Sequence, residues 1–505
     1  MTPATAETPP GVVIPAAAVT PGAATVALSL ISHTNAGKTT LARTLLDRDV
    51  GEVRDAAHVT VEATRYTMIE TPAGDRLELW DTPGFGDSTR LAARLAQQGN
   101  PIGWFLGQVW DRFRDRPLWL SQQAVRNVRD EADLVLYLVN ASEQPGEAGY
   151  IAAEFAILRW IGKPVIVLLN QTGEPRDRDL DAVEVRAWTD ALAPHGLHTT
   201  VLTLDAFARC WVQEIALLRT VAEALPEPKR DAGRRLAEAW QGRRWDQFHA
   251  AIAVLAGTVA RAAVDRVTVD EPRETTLRSL GRRLGIGRAD SDAERARAME
   301  TLAARVQEEI RASTDELIAV HGLAGHAATE VLERVASHVT STAPFDEGKA
   351  AVFGGVVSGI ATGLAADLAA GGLTLGAGVL AGGVLGALGA AGLARGYNIA
   401  RGTTGTLVHW SDGFLLELVA GALLRYLAVA HYGRGRGTWQ ATEYPVAWVG
   451  LVAETVELRR DDFTRAWHGR LDAGHEVLVP RLDEALTDAG VVLLDRLYPD
   501  AVIAS

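Results

Sequence analysis

Several residue types are scarce in this sequence, and each scarcity excludes some classes of site or function. A single cysteine, Cys210, occurs among 505 residues, which excludes an internal disulfide and a metal site built from several cysteines. Lys and Arg number 50 against 63 Asp and Glu, a formal net charge of −13, so the bulk charge gives no signal for nucleic-acid binding. The 12 histidines are scattered without metal-ligand spacing. We expect a cytoplasmic protein of two or more domains.

The N-terminal residues lack the pattern of an export signal. No charged region precedes an apolar core there, so no secretory signal is predicted. Residues 1–23 are rich in Pro, Ala and Thr without periodicity and are predicted to form a disordered lead-in.

A predicted phosphate-binding loop is the most informative motif. An apolar run, 26–31, leads into a short loop and a helical pattern, 41–46, which is the context of such loops. The loop and the start of the helix read Asn35-Ala36-Gly37-Lys38-Thr39-Thr40. We expect their N–H groups to bind phosphate, Lys38 to reach the β- and γ-phosphates, and Thr39 to ligate Mg²⁺. Ser32 replaces the first glycine of the pattern, and a chance Gly-Lys-Thr is the alternative.

A second motif, Asp81-Thr82-Pro83-Gly84, ends the strand-like run 76–81. We expect Asp81 to hold Mg²⁺ through water and the Gly84 N–H to sense a γ-phosphate. With both motifs the chain resembles translation-factor-class GTPases, closest to the Era-like and TrmE-like branch. The resemblance implies GTP, Mg²⁺ and an α/β P-loop fold. It also implies that Thr60, in switch I, closes on Mg²⁺ and γ-phosphate, with Thr64 as second choice and an ordinary loop threonine as the alternative.

Three further apolar runs predict the rest of a doubly wound, mostly parallel sheet. Runs 132–140 and 163–170 are continuous, as in strands covered on both faces, and 199–204 is the last strand. Because ligands bind at the carboxyl ends of such strands, Asn35, Asp81 and Asn170 are expected at one edge.

The base-reading motif is where the resemblance weakens. GTPases carry Asn-Lys-x-Asp, whereas this chain has Asn170-Gln171-Thr172-Gly173. We expect Asn170 to contact the base with Gln171 beside it, and Glu174, Asp177 or Asp179 could replace the missing carboxylate. The last GTPase motif, Ser-Ala-Lys, agrees only at Ala206 of Leu204-Asp205-Ala206-Phe207. Charged hydrogen bonds contribute about 1.5–3 kcal/mol each, so ATP or relaxed base choice stands beside GTP.

Phe85 occupies the position where Ras-like enzymes carry a water-orienting Gln. A phenyl ring cannot orient water, so slow or assisted hydrolysis is expected. Some GTPases with an apolar residue here bind K⁺ through an Asn in the loop, and Asn35 occupies that place. Tying of the loop by the Asn35 amide is the alternative.

A helical insertion is expected around 86–130. Its aromatic residues are Trp104, Phe105, Trp110, Phe113 and Trp119. A local helical core is favoured over a nucleotide-responsive platform for a protein partner.

The remainder, 211–505, is predicted to be helical and without strands, after a GTPase domain spanning 24–210. Apolar residues at helical spacing, such as Ile215-Leu218-Val221-Leu225, indicate amphipathic helices. The arginine-dense stretch 273–297 is interpreted as solvated helix or loop, ahead of a phosphate- or lipid-binding patch.

Segment 350–396 carries almost no charge apart from Asp367 and has glycines four apart, a spacing that lets helices approach closely. It is predicted to form a helical hairpin. The first arm would span about 25 Å and the second about 33 Å, against a hydrocarbon core of about 30 Å. Association with membrane lipid, peripheral or integral at the inner membrane, is one interpretation, and a hairpin buried in a soluble bundle is the other.

In outline this layout resembles dynamin-like proteins. It also resembles a bacterial family that pairs an Era-like GTPase domain with a C-terminal domain of unknown function and shares the Ser-His-Thr-Asn-Ala-Gly-Lys-Thr loop. We predict a Mg²⁺-dependent GTP-binding switch with slow hydrolysis. A membrane-associated interaction protein with regulatory nucleotide binding and negligible turnover, and an ATPase, are the alternatives.

Overall fold

The computed structural model describes residues 23–33, 36–47, 50, 63–97, 116–172, 178–196, 199–206, 210–269, 288–323, 397–401, 406–431, 446–499 and 501. Several sequence predictions fall outside these residues: Asn35, Thr60, the aromatic residues at 104–113, the substitutes Glu174 and Asp177, the hairpin 350–396 and residues 1–22 of the lead-in.

The first part of the chain folds as a six-stranded sheet with helices. Its strands are β1 (Thr25–Ser32), β2 (Thr64–Glu70), β3 (Arg76–Asp81), β4 (Leu134–Asn140), β5 (Val165–Asn170) and β6 (Thr200–Thr203). Its helices are α1 (Lys38–Leu46), α2 (Ser88–Gln97), α3 (Arg116–Glu131), α4 (Ile151–Ile161) and α5 (Arg178–Leu192), followed by a 3₁₀ turn at Ala193–His195. The strand order is β2-β3-β1-β4-β5-β6, and only the β2–β3 pairing is antiparallel. The predicted doubly wound sheet is confirmed.

The continuous apolar runs of the central strands follow from burial on both faces. Successive side chains of a strand point to opposite faces. Leu136 and Leu138 of β4 accordingly belong to one hydrophobic cluster, and Tyr137 and Val139 to the cluster on the other face. A strand covered on both sides cannot alternate apolar with polar residues.

The remainder is mostly helical, as predicted. It comprises α6 (Trp211–Ala224), α7 (Glu227–Val264), β7 (Arg266–Val269), α8 (Arg288–Val320), β8 (Tyr397–Arg401), β9 (Thr406–Trp410), α9 (Asp412–Ala430), α10 (Val446–Leu458), α11 (Arg460–Ala466) and α12 (His475–Leu497). The expectation of no strands here is wrong, because β7, β9 and β8 form a small antiparallel sheet. These strands have only four or five residues each, too few to show a period of two in sequence.

Helices α6 and α7 pack on the six-stranded sheet. Leu217 of α6 and Trp240 of α7 lie in the same hydrophobic cluster as Leu28 and Leu136 of the central strands. The boundary predicted at 210 therefore falls between elements that share one core.

Two described helices, α7 and α9, are long and apolar enough to cross a membrane by length and composition alone. In α9, 78% of the apolar window is buried inside the protein, and in α7 56% is. Burial of this kind is also what the core helix of a soluble fold requires.

A candidate nucleotide site

The carboxyl end of β1 and the start of α1 enclose the predicted phosphate loop. Gly37 directly precedes α1 with φ +84°, a left-handed conformation that glycine adopts without strain. A Cβ at this position would lie 2.6 Å from Asn170 Nδ2. Both the backbone angle and the close approach of Asn170 therefore require glycine.

Lys38 is buried at the first position of α1. Its Nζ donates to Ser32 Oγ at 2.8 Å, so the serine that replaces the expected glycine holds the lysine. Burial lowers the pKa of Lys38 to about 8, although the negative charges of Asp81 and Glu154 oppose the shift. A buried cation at a helix N-terminus is suited to bind phosphate.

Thr39 and Asp81, the two predicted Mg²⁺ residues in the described chain, are in direct contact. Thr39 Oγ1 donates to Asp81 Oδ2 at 2.7 Å. The parallel pairing of β1 with β3, which sets Leu30 beside Asp81, brings the end of β3 to the phosphate loop. Burial raises the pKa of Asp81, against the Thr39 hydrogen bond and the charge of Lys38.

One carboxylate oxygen of Asp81 can still accept a ligand. Oδ1 is buried and accepts no hydrogen bond from the described residues. Leaving a buried carboxylate oxygen unsatisfied is costly. Hydroxyl and carboxylate oxygens are the ligands that Mg²⁺ prefers, so this pair fits the cation that the GTPase resemblance implies. Within the described chain, no group of three or more His, Cys, Asp or Glu residues is arranged to hold a metal.

Asn170 connects the phosphate loop to the loop after β6. Its Nδ2 donates to Ala36 O at 2.7 Å, and its Oδ1 accepts from Ala206 N at 2.8 Å. Gln171 follows with φ +61°. Its Nε2 lies 3.5 Å from the position of a Cβ on Gly37. The structure therefore brings Asn170 and Gln171 to the loop, and their contact with a base stays a prediction.

Phe85 is fully buried and lies in the cluster that contains Ile31 and Leu91. Its N–H donates to Ser32 O at 2.9 Å, and its backbone pairs with His33. Two further predicted site residues, Gly84 before Phe85 and Thr40 on α1, are also buried. The ring is thus part of the core, and its effect on hydrolysis stays a prediction.

Sequence reasoning missed a buried carboxylate beneath the loop. Glu154 of α4 is fully buried, pairs with His33 Nδ1 at 2.8 Å and accepts from Tyr137 OH at 2.5 Å. Burial raises the pKa of Glu154, while hydrogen bonds from His33 and Tyr137 lower it. The His33 ring stacks on Tyr150 with centroids 4.2 Å apart. The only signal in the sequence was a glutamate on the apolar face of a helix.

Comparisons with known proteins agree with this geometry. Residues 27–171 match the family model described as 50S ribosome-binding GTPase. Residues 189–469 match the model described as a domain of unknown function, DUF3482. A search of curated proteins gives no match.

Three solved structures illustrate partial similarity. Aquifex aeolicus Era Y63A bound to GDP and AlF4⁻ is 16% identical, with 40% of this chain and 57% of that chain covered and a TM-score of 0.29. Era in complex with MgGDPNP and nucleotides 1506–1542 of 16S ribosomal RNA is 17% identical, with the same coverage and TM-score. Toc33 from Arabidopsis thaliana is 13% identical over 37% of this chain and 72% of that one, with a TM-score of 0.25.

The chain spans 57% of the length of these Era structures, so the likeness is confined to part of each protein. The DUF3482 model, in contrast, covers more than half of the present chain. The protein therefore belongs to the DUF3482 family, and a P-loop GTPase domain precedes the domain that defines that family.

Proposed function

We propose that the protein is a Mg²⁺-dependent GTPase of slow turnover that acts as a nucleotide-controlled switch. The observation that carries the proposal is the Thr39–Asp81 hydrogen bond of 2.7 Å beside the buried amine of Lys38. A hydroxyl, a carboxylate at the end of β3 and a lysine at the N-terminus of α1 are the parts that phosphoryl transfer from a nucleoside triphosphate requires.

Each site residue has a distinct role in this proposal. Lys38 and the N–H groups of 35–40 bind the phosphates, while Gly84 senses the γ-phosphate. Thr39, Asp81 and Thr60 hold Mg²⁺, which supplies positive charge to the phosphate oxygens when bound. Asn170 and Gln171 border the base.

Slow turnover follows from Phe85. Its ring is buried in the core, so the residue after Gly84 orients no water. Assistance by K⁺ at Asn35 is part of the proposal. Hydrolysis measured in KCl and in NaCl tests it, and equal rates in the two salts would remove K⁺ from the mechanism.

The main test is multiple-turnover phosphate release from GTP with MgCl₂ and with EDTA. Asp81→Asn keeps the size of the side chain but removes its charge, so we expect the Mg²⁺ dependence to be lost with little change in folding. Lys38→Ala should abolish nucleotide binding. Asp133→Asn, at the amino end of β4, is the control: it loses a carboxylate that contacts Lys229 at 2.7 Å and should keep the Mg²⁺ dependence of wild type. Equal turnover by wild type in EDTA would contradict the proposal.

A regulatory nucleotide site with negligible turnover is the second candidate, and the burial of Phe85 favours it. Tight GTP binding without multiple-turnover phosphate release would establish it in place of a GTPase cycle. Whether segment 350–396 contacts lipid is tested separately by co-sedimentation of the full chain with liposomes. Complete solubility would favour the soluble bundle.

A further inference from the structure

Three loops meet at the carboxyl ends of β5 and β6. Asn170 bonds Ala36 in the phosphate loop and Ala206 after β6, and the Thr44 hydroxyl of α1 donates to Ala206 O at 2.8 Å. Asp81, a predicted Mg²⁺ ligand, ends β3, which lies on the other side of β1 from β5 and β6. A nucleotide bound across the strand ends therefore extends its base toward β5 and β6.

Asp205 is the acidic residue at this junction. Among the described residues that directly follow β5 and β6, 171–172 and 204–206, it is the only carboxylate. It is 3% exposed, and its Oδ2 accepts from both Thr172 N at 2.8 Å and Thr172 Oγ1 at 3.0 Å. Two donors from one residue fix the orientation of the carboxylate.

A fixed carboxylate discriminates among purine bases. The Watson–Crick edge of guanine presents two parallel donors, N1–H and the 2-amino group, which an ionised carboxylate accepts as a pair. Adenine presents an unprotonated N1 at the same place, which a carboxylate repels. Sites that pair with a substrate's polar groups reject analogues that lack them.

We propose that Asp205 is the residue that selects guanine, in place of the carboxylate that residue 173, a glycine, does not provide. The acidic group is supplied from the loop after β6 and is held by Thr172 of the loop after β5. This inference rests on the proposed GTP function and adds to it the origin of base specificity.

The test is competition of GTP, ITP, XTP and ATP against a fluorescent GTP analogue on the full-length chain. Wild type should bind ITP about 10- to 100-fold more weakly than GTP, since ITP lacks the amino group and one charged hydrogen bond. In Asp205→Asn, GTP affinity should fall by a similar factor and XTP should become the preferred nucleotide, because an amide donates to the 2-oxygen of xanthine while its oxygen accepts from N1–H.

A gain of XTP binding separates base reading from a structural role, which would weaken all nucleotides equally. Asp133→Asn is the control. Its carboxylate also accepts a backbone N–H, from Ala27 at 2.8 Å, but at the amino end of the sheet, so its nucleotide preferences should match wild type. Should Asp205→Asn fail to fold by circular dichroism, Asp205→Ser takes its place, and a wild-type GTP-over-ITP ratio in that variant overturns the proposal.

The outcomes distinguish a failure of the proposed GTP function from a failure of the Asp205 assignment. If wild type binds ATP as tightly as GTP, the guanine assignment of the whole protein fails. If wild type prefers GTP but folded Asp205→Asn keeps the wild-type ratio of GTP to XTP, only the assignment of Asp205 fails.

Discussion

Arg244 of α7 donates from Nη1 to Asp47 Oδ2 at 2.7 Å. Asp47 caps the carboxyl end of α1, the helix that begins at Lys38, so this ion pair connects α1 to the helical part of the chain. Arg244 also bonds Glu214 through Nε at 2.9 Å, and Trp240 Nε1 donates to the same carboxylate at 2.8 Å. Burial lowers the pKa of Arg244, but the charges of Glu214 and Asp47 outweigh it and raise the pKa above its usual range.

Breaking this buried network should destabilise the protein strongly. We expect Arg244→Met to lower the free energy of unfolding by about 3–5 kcal/mol, because Glu214 would keep a buried charge without its cation. Urea denaturation followed by circular dichroism measures the loss. Arg243→Met is the matched control: its side chain is half exposed and 3.7 Å from Asp47, and it should change stability by less than about 1 kcal/mol. Losses of equal size would show that the network contributes no more than a surface pair.

Gly37→Ala should impair both stability and nucleotide binding. The alanine methyl would meet Asn170 Nδ2 at 2.6 Å and disturb its bonds to Ala36 and Ala206. Gly162→Ala is the control, since Gly162 has φ +75° and open space around it. An alanine there should lower the free energy of unfolding only by the cost of a left-handed backbone conformation, about 1–2 kcal/mol. We expect Gly37→Ala to lose more stability than the control and, unlike it, to bind GTP weakly. Indistinguishable variants would rule out the clash.

Affinity for GTP should fall as pH rises above about 8. Burial lowers the pKa of Lys38 to about 8, and bound phosphate favours the charged amine and so raises that pKa. Binding of GTP is therefore strongest below pH 8. Above pH 8, Lys38 must take up a proton when GTP binds, and the affinity falls by up to about tenfold per pH unit. Calorimetry in buffers of different ionisation enthalpy at pH 7 and 8.5 measures this uptake. Lys229→Met, remote from the loop, should keep the wild-type profile; constant affinity from pH 7 to 9 would contradict the prediction.

Glu154→Gln should loosen the phosphate loop. A glutamine has one acceptor oxygen for the donors that the two oxygens of Glu154 now accept, among them His33 and Tyr137. An unsatisfied buried group costs about 1–3 kcal/mol. Because the charge of Glu154 raises the pKa of Lys38, the variant should also shift the fall in GTP affinity to lower pH. Glu143→Gln, which affects the half-buried bond from Tyr150 at 2.9 Å, is the control. A stability loss without a pH shift would leave Glu154 a purely structural role.

The sequence was informative wherever a motif is local. Gly37-Lys38-Thr39 could be predicted because it lies between an apolar run and a helical pattern, and Asp81 because it ends a strand-like run. The apolar runs of β4 and β5 indicated central strands. Glu154, which contacts the phosphate loop through His33, could not be predicted from a local motif. Its contact with His33 joins residues far apart in the chain, and no periodicity encodes such a pair.

In the helical part, too, a local pattern could be predicted but its packing could not. Helix α6 was predicted from its spacing of apolar residues, yet its packing on the sheet with α7 was not. An amphipathic pattern indicates that one face is buried but not which surface covers it. Strands β7 and β9 pair across a separation of more than a hundred residues, so neither was predicted.

By itself the sequence determined the chemistry that can occur: a lysine, a threonine and an aspartate suited to phosphate and Mg²⁺, on a doubly wound sheet. These features are encoded locally, by residue type and by the periods of strand and helix. Only the tertiary structure decided which groups share a site, because parallel pairing brings β3 beside β1 and the folded loops bring Asp205 to Thr172. The contact of α1 with α7 through Arg244 and Asp47 was likewise decided only by the fold, because a buried ion pair forms only when both helices are packed in place.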